Sequence, residues 1–382
     1  EKKPTKFSTN EIIKSLIEMN RKLFDPKEKT KAGVSNYNPQ EMRQNQKLVE
    51  ITEKTLKKGR IKYFNKEKQN TNNAFKLYKT ADSTLKSYFK DVPLTVTGID
   101  SLKALDSHKI PAFYFDIIRG ITKDNVKEEF FIDQLDHSDR LADKLLDLNY
   151  NDRIVQGDDE NDLNDTAYGS NNMSNNVVFL DHGTKMSGVI TGVSKNNEIE
   201  IMPVAISAYG DEHDKDIALA IRYAVANGAK VINMSFGKEY SLYKEWVFDA
   251  IKFADKNDVL IVCAAGNSSY NLNLMNENYP NDNVDNGEEI SGNFIMVGSS
   301  SFSLTKDLKK SSSNYGSIDV DLFAPGDIIN TTAPKNGYTT SSGTSPAGAI
   351  TSGVAALIRS YYPDLTASQV KHILMDSGIE YT

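Results

Sequence analysis

From about residue 175 onward, short apolar runs alternate with single amphipathic helical segments, and that rhythm restricts the fold more than any other feature of the chain. The runs are 177–180, 199–206, 231–235, 259–264, 294–300 and 320–324. Between them lie helical stretches: one from about 181 with Met186, Ile190 and Val193 on one face, one over 214–227 with Gly228 after its end, and one over 243–257. A small-residue helix over 345–361 and a last helix opened by the capping pair Thr366 and Gln369 complete the set. Strands separated by single helices must run parallel, and right-handed crossovers place the helices on both faces. The expected fold class is α/β, a doubly wound and mostly parallel sheet.

The first 150 residues have a different texture, rich in Lys, Glu, Asn and Leu with helical spacing. Ile12, Ile13, Leu16, Ile17 and Leu23 make one apolar stripe. A second helix is punctuated by Asn38 as N-cap, Pro39 in the first turn, Leu48, Ile51 and Leu56 inside, and Gly59 after its end. Further helices are expected over 74–89 and about 124–148. The chain is therefore divided into a helical subdomain over 1–150 and an α/β domain over 151–382. With 39% apolar and 25% charged residues it suits a folded core, and a net charge of −7 argues against a nucleic-acid partner held through phosphates. No apolar stretch reaches the ~18 residues of a membrane span. The single cysteine, Cys263, precludes an intramolecular disulfide and reads as a small buried hydrophobe.

Chemistry-bearing residues gather in three separated segments: Asp181-His182-Gly183-Thr184, Ala264-Ala265-Gly266-Asn267 and Ser342-Gly343-Thr344-Ser345. They offer a base, an amide donor and a hydroxyl nucleophile, three of the four side chains that serine acyl transfer requires. His182 and Asn267 each follow an expected strand, and Ser345 opens a helix after a glycine- and serine-rich turn, so all three fall where open parallel sheets collect reactive groups. A helix start also supplies Ser345 with unpaired N–H groups and a positive dipole end. Pro346 beside it fits a first turn, where no N–H is needed.

Together with Asn233-Met234-Ser235-Phe236-Gly237 and Phe323-Ala324-Pro325-Gly326, these segments resemble the subtilisin-like serine proteases (subtilases, peptidase S8), over residues 151 to 382. The resemblance implies a secreted or cell-envelope serine endopeptidase acting on polypeptides, without a redox or nucleotide cofactor. It implies Ser345 as nucleophile, His182 as general base and then acid, and Asn267 as oxyanion donor with the Ser345 backbone N–H as the second. Ser235, Phe236 and Gly237 would hold the substrate backbone as an added strand. The alternative is a non-catalytic homologue that binds peptides in the same cleft. Two departures from the family pattern stand out: Lys185 occupies a position where many subtilases carry a second His, and Pro346-Ala347-Gly348-Ala349 replaces the usual Met-Ala-Ala-Pro.

The orienting carboxylate has no clear segment. Subtilases place it before the His segment, on a strand ending Asp-Ser/Thr-Gly. Asp100 in Val96-Thr97-Gly98-Ile99-Asp100-Ser101 reads instead as the cap of a helix, Asp181 adjoins His182 too closely in sequence, and Asp376 falls at the end of the last helix. The expectation is that the strand lies upstream of residue 1, that residues 1–150 resemble the long insertion of some bacterial subtilases, and that the sequence is an internal piece. Lacking this carboxylate, the piece itself is expected to turn over about 10⁴-fold more slowly. The stretch Asp158-Asp159-Glu160-Asn161-Asp162 is a candidate for the calcium many subtilases bind, but lacks the EF-hand glycine and reads as a solvated loop. His108, His137, His213 and His372 have no ligand spacing.

Overall fold

The computed structural model describes residues 65–66, 68–90, 92–106, 109–123, isolated positions between 128 and 139, and then 153–159, 161–171, 180–194, 199–206, 212–238, 241–274, 278–283, 287–303 and 307–380. The apolar stripe over 12–23, the helix over 38–59, His108, His137 and most of the expected strand 177–180 lie outside the described residues. The chain forms two compact units, residues 1–83 with 128–150 and residues 84–127 with 151–382. In the first, residues 68–83 are helical, Phe75 and Tyr78 each stack on Phe131 at 5.4 Å, and Lys79 pairs with Glu128 at 2.8 Å.

In the second unit, helices α1 (Val96–Leu105) and α2 (Ala112–Lys123) pack on each other. Thr95, not Asp100, caps α1 by accepting the Gly98 N–H; Asp100 sits inside the helix and pairs with Arg119 at 2.6 Å. Thr95 wins because a cap needs extended backbone, and it has ψ 160°.

The sheet is built from β1 (Val231–Met234), β2 (Leu260–Ala264), β3 (Phe294–Ser300) and β4 (Leu322–Pro325), parallel and in that order, with Ile232 beside Ile261 and Val262 beside Ile295. Alternate residues of β2 serve opposite faces. Ile261 and Cys263 meet α4 (Asp214–Ala226) and α5 (Lys244–Lys256) in a core with Ile217, Ile221, Val247 and Ile251. Leu260 and Val262 meet α6 (Thr344–Tyr361) and α7 (Ala367–Asp376) through Ala347, Ala355, Ala367 and Val370. The doubly wound arrangement is therefore present, and β2 is buried along its whole length. Thr366 and Gln369 form the expected capping box, and Gly228 closes α4 with φ +87°.

Two elements differ from expectation. Residues 199–206 form no strand and leave Ile201, Met202 and Val204 exposed. A strand needs a neighbour for its N–H and C=O groups, and no ladder forms with this segment among the described residues. Conversely, β5 (Ile329–Ala333) and β6 (Gly337–Ser341) make an unforeseen antiparallel hairpin. Its signal is Asn336-Gly337 between alternating residues; Lys335 and Asn336 both take φ +59°, as a type I′ turn requires.

Helix α3 (Asp181–Val193) packs against both α6 and this hairpin. Gly188 allows the hairpin contact, since a Cβ there would lie 2.2 Å from Thr332 Oγ1. Gly353 allows the helix contact, since its Cβ would meet Ile190 O and Val193 Cγ2 at 2.8 Å.

The acidic stretch is partly interior: the Asp158 side chain is fully buried and meets Lys215 at 2.7 Å and Arg153 at 3.5 Å. Asp159 and Asp162 accept turn N–H groups from Asn161 and Asn164. The solvated-loop reading therefore fails at Asp158, because Lys215 and Arg153 neutralise it in the interior.

A second buried acid has a consequence for stability. Asp282 is 7% exposed, and its Oδ2 has no hydrogen-bond partner among the described residues. Burial, reinforced by Glu289 and Asp321 and opposed by Lys371, pushes its pKa up to about 7. Because the folded state holds this proton more tightly than the unfolded chain, stability falls as pH rises from about 4 to 7 and stays reduced above that. Asp282→Asn should therefore be more stable than the native protein at pH 8, by about 2–4 kcal/mol, with the gain vanishing near pH 4. Urea melts at the two pH values measure it, and an equal offset at both would reject the buried-carboxylate account.

Candidate active site

The cleft at the carboxyl ends of β1 and β2 has a volume of about 380 Å³ and is lined by Ser235, Phe236, Gly237, Asn267, Tyr270 and Ser345 among others. Each arrives there through local structure. β2 ends at Ala264, and Gly266 turns the chain at φ +95°, a conformation that glycine adopts without strain, which brings Asn267 to the surface. Ser235, Phe236 and Gly237 follow β1 directly, and Phe236 also packs against the core beneath.

The nucleophile segment turns at Gly343, whose φ of +126° again calls for glycine; a Cβ there would lie 2.9 Å from Asn267 Oδ1. Helix α6 then begins at Thr344, one residue earlier than expected, with Ser345 and Pro346 in its first turn. The N–H groups of that turn have no intrahelical acceptor, so Pro346 sacrifices no helical bond.

Asn267 Oδ1 accepts the Thr344 N–H at 2.9 Å, and Thr344 Oγ1 accepts the Gly266 N–H at 3.2 Å. This cross-link uses the amide oxygen of Asn267 and leaves its NH₂ group without a hydrogen-bond partner among the described residues. Ser345 is tied twice to Ser235, just past the end of β1: its hydroxyl donates to Ser235 O at 3.1 Å, and the Ser235 hydroxyl donates to Ser345 O at 3.0 Å. Asn233 Nδ2 donates to that same Ser235 hydroxyl at 2.9 Å, and Ser352 donates to Asn233 Oδ1 at 2.9 Å. This relay through Asn233 and Ser352 escaped sequence reasoning.

His182 occupies the first turn of α3 and is exposed. Met186 and Val189 pack on Ala349, and Ile190 and Val193 on Gly353, so α3 and α6 advance in the same direction. His182 itself is not among the residues that line the cleft. The Ser345 hydroxyl bonds to the Ser235 carbonyl and not to the imidazole. Although His182 keeps solvent exposure, partial desolvation of its ring by the surrounding protein, then the Lys185 cation, hold its pKa below the ordinary value, against the opposing pull of Asp181. Asp181 itself pairs with Lys185 at 2.5 Å. Asp376 ends α7, as expected of a helix terminus. Among the described residues no group of three or more His, Cys, Asp and Glu side chains is arranged to hold a metal ion, and no helix is long and apolar enough to cross a membrane.

Residues 95–378 match the profile of the peptidase S8 subtilase family. The chain is 31% identical over 210 residues to Subtilisin DY of Bacillus licheniformis, covering 52% of this chain and 70% of that protein. It is 32% identical over 230 residues to the Cell wall-associated protease of Bacillus subtilis (strain 168), covering 58% of this chain but 23% of that protein. It is 31% identical over 209 residues to the Major intracellular serine protease of the same strain, covering 53% and 60%. Among solved structures it resembles a cold adapted subtilisin-like serine proteinase, with a TM-score of 0.43, 32% identity and coverage of 51% of this chain and 67% of that one. A lanthipeptide protease gives a TM-score of 0.46 at 27% identity, covering 53% and 69%. The family match takes in most of the chain and contains all three reactive segments, and the chain belongs to the subtilase family.

Proposed function

We propose that this chain carries the reactive core of a serine endopeptidase that cleaves polypeptides through an acyl-enzyme on Ser345. The observation that supports it best is the convergence of the Ser345 hydroxyl, its first-turn N–H and the uncommitted Asn267 NH₂ on one cleft. A peptide laid along Ser235–Gly237 would add a strand beside β1 and present its carbonyl to Ser345. The hydroxyl would leave the Ser235 carbonyl, pass its proton to His182 and attack. Negative charge would gather on the substrate oxygen between Asn267 Nδ2 and the Ser345 N–H. His182 would return the proton to the departing amine, and water would then release the acyl group by the same steps in reverse.

The second reading, a peptide-binding homologue without turnover, is favoured by the hydrogen bond of Ser345 to Ser235 in place of His182. A fluorophosphonate probe applied to the full-length protein separates the two: Ser345-dependent labelling supports the hydrolase, and peptide binding without labelling supports the binder.

The His182 assignment carries its own check. Removing the Lys185 cation also frees the Asp181 carboxylate, and both changes favour the imidazolium. In Lys185→Met the acid limb of the kcat/KM profile should move to higher pH. A limb that stays in place would exclude His182 as the titrating base.

A further inference from the structure

We propose that Asn314 is a positioning residue for oxyanion stabilisation, holding the segment that carries Asn267 at the cleft it shares with Ser345. This inference rests on the hydrolase reading above. Asn314 is 3% exposed, lies 44 residues or more from its partners in sequence, and spends its whole side chain on this one loop. Its Oδ1 accepts the N–H groups of Ser268 at 3.0 Å and Tyr270 at 2.9 Å, and its Nδ2 donates to Ala265 O at 2.7 Å. Its backbone N–H donates to Gly266 O at 2.9 Å. One buried amide therefore grips the chain on both sides of Asn267 without touching the Ser345 hydroxyl.

Asn314 is itself anchored. The adjoining Ser313 hydroxyl donates to Asn314 O at 2.9 Å and accepts the Ser299 N–H of β3 at 2.9 Å. The fit is close: a Cβ on Gly266 would lie 2.5 Å from Asn314 Nδ2, so the glycine serves the clamp as well as the turn. Thr344 and Gly343 bound the Asn267 amide from the opposite side. An oxyanion donor loses most of its effect when displaced by about 1 Å, and Asn314 is the side chain best placed to prevent that displacement.

A double-mutant cycle on the full-length protein tests this with a peptide substrate. Asn314→Ala should lower kcat by about 10–100-fold, with KM within about threefold. In an Asn267→Ala background the same change should alter kcat by less than about twofold, because the donor it positions is already gone. Loss of Asn314 that slows both backgrounds equally, or that acts through KM, would overturn the inference in favour of a general structural role. Asn314→Asp keeps both acceptor bonds and loses the donation to Ala265, so it carries the same cycle should Asn314→Ala not fold. Hydrogen exchange of the Ser268 and Tyr270 amides reads the clamp without turnover: faster exchange in Asn314→Ala, with β2 still protected, upholds it, and unchanged exchange refutes it. A wild-type protein with neither turnover nor Ser345 labelling would overturn the proposed function, leaving the clamp to be decided by the exchange.

Discussion

Ser345→Ala lowers the kcat of the full-length protein by about 10⁶-fold while barely moving its stability. The kinetic effect is expected to be large because, in the proposed mechanism, this hydroxyl forms the covalent bond to the substrate. Ser235 also brings a hydroxyl to the cleft, but it donates to the Ser345 carbonyl and accepts from Asn233, so it is held in the relay. The structural effect is small because the substitution removes one neutral hydrogen bond, to Ser235 O at 3.1 Å, worth about 1 kcal/mol. The bond from Ser235 to the Ser345 carbonyl uses backbone and survives. Hydrolysis of a chromogenic peptide, alongside urea melts of both proteins, measures the two quantities. A variant retaining more than about a thousandth of the native rate would place the nucleophile elsewhere.

Lys215→Met destabilises the α/β unit by about 3–5 kcal/mol. The Lys215 side chain is fully buried, with Nζ 2.7 Å from Asp158 Oδ2, 2.7 Å from Asp159 O and 4.6 Å above the Tyr168 ring. Arg153 joins the group through Asp216 at 2.9 Å, and the Tyr168 hydroxyl bonds Asp216, which together with burial holds that phenol well above its ordinary pKa. Without Lys215 the buried Asp158 carboxylate keeps only Arg153, at 3.5 Å and already engaged by Asp216. The cost is that of a charge stranded in a low-dielectric interior, so it should depend on the charge and not on the lost methylenes. Asp158→Asn in the Lys215→Met background should recover about 1–2 kcal/mol or more. Denaturant melts decide: a single substitution costing under about 1 kcal/mol, or no recovery in the double variant, would mean that this network does not anchor residues 153–168 on α4.

How much of this was legible beforehand depends on the range of the interaction. The helices over 214–227, 243–257 and 367–376 and the strand over 294–300 follow from apolar spacing and from caps such as Gly228 and Thr366, all within a few residues in sequence. The hairpin at 329–341 was equally local, announced by Asn336-Gly337, and was missed because polar threonines hide its alternation. Residues 199–206 have a strand-like composition, but a strand depends on a neighbour that composition does not specify. Asp158 looked like one acid among several in a solvated run; only the packing of α4 against residues 153–168 reveals that Lys215 and Arg153 enclose it.

His182, Asn267 and Ser345 stood out as candidates from three short motifs, because a turn, a strand end and a helix start each have a short-range sequence signature, and the structure brings Asn267 and Ser345 to one cleft. The sequence by itself determined the family, the alternation of strands and helices, and the residue types available for chemistry. Only the tertiary structure decided that the Asn267 amide is oriented by Thr344, that the Ser345 hydroxyl rests on a carbonyl 110 residues away, and that Asn314 grips the loop carrying Asn267 from a separate segment. Those relations depend on where the parallel crossovers deliver each strand end, and crossover geometry is set by packing across the whole sheet, over distances along the chain that no local pattern spans.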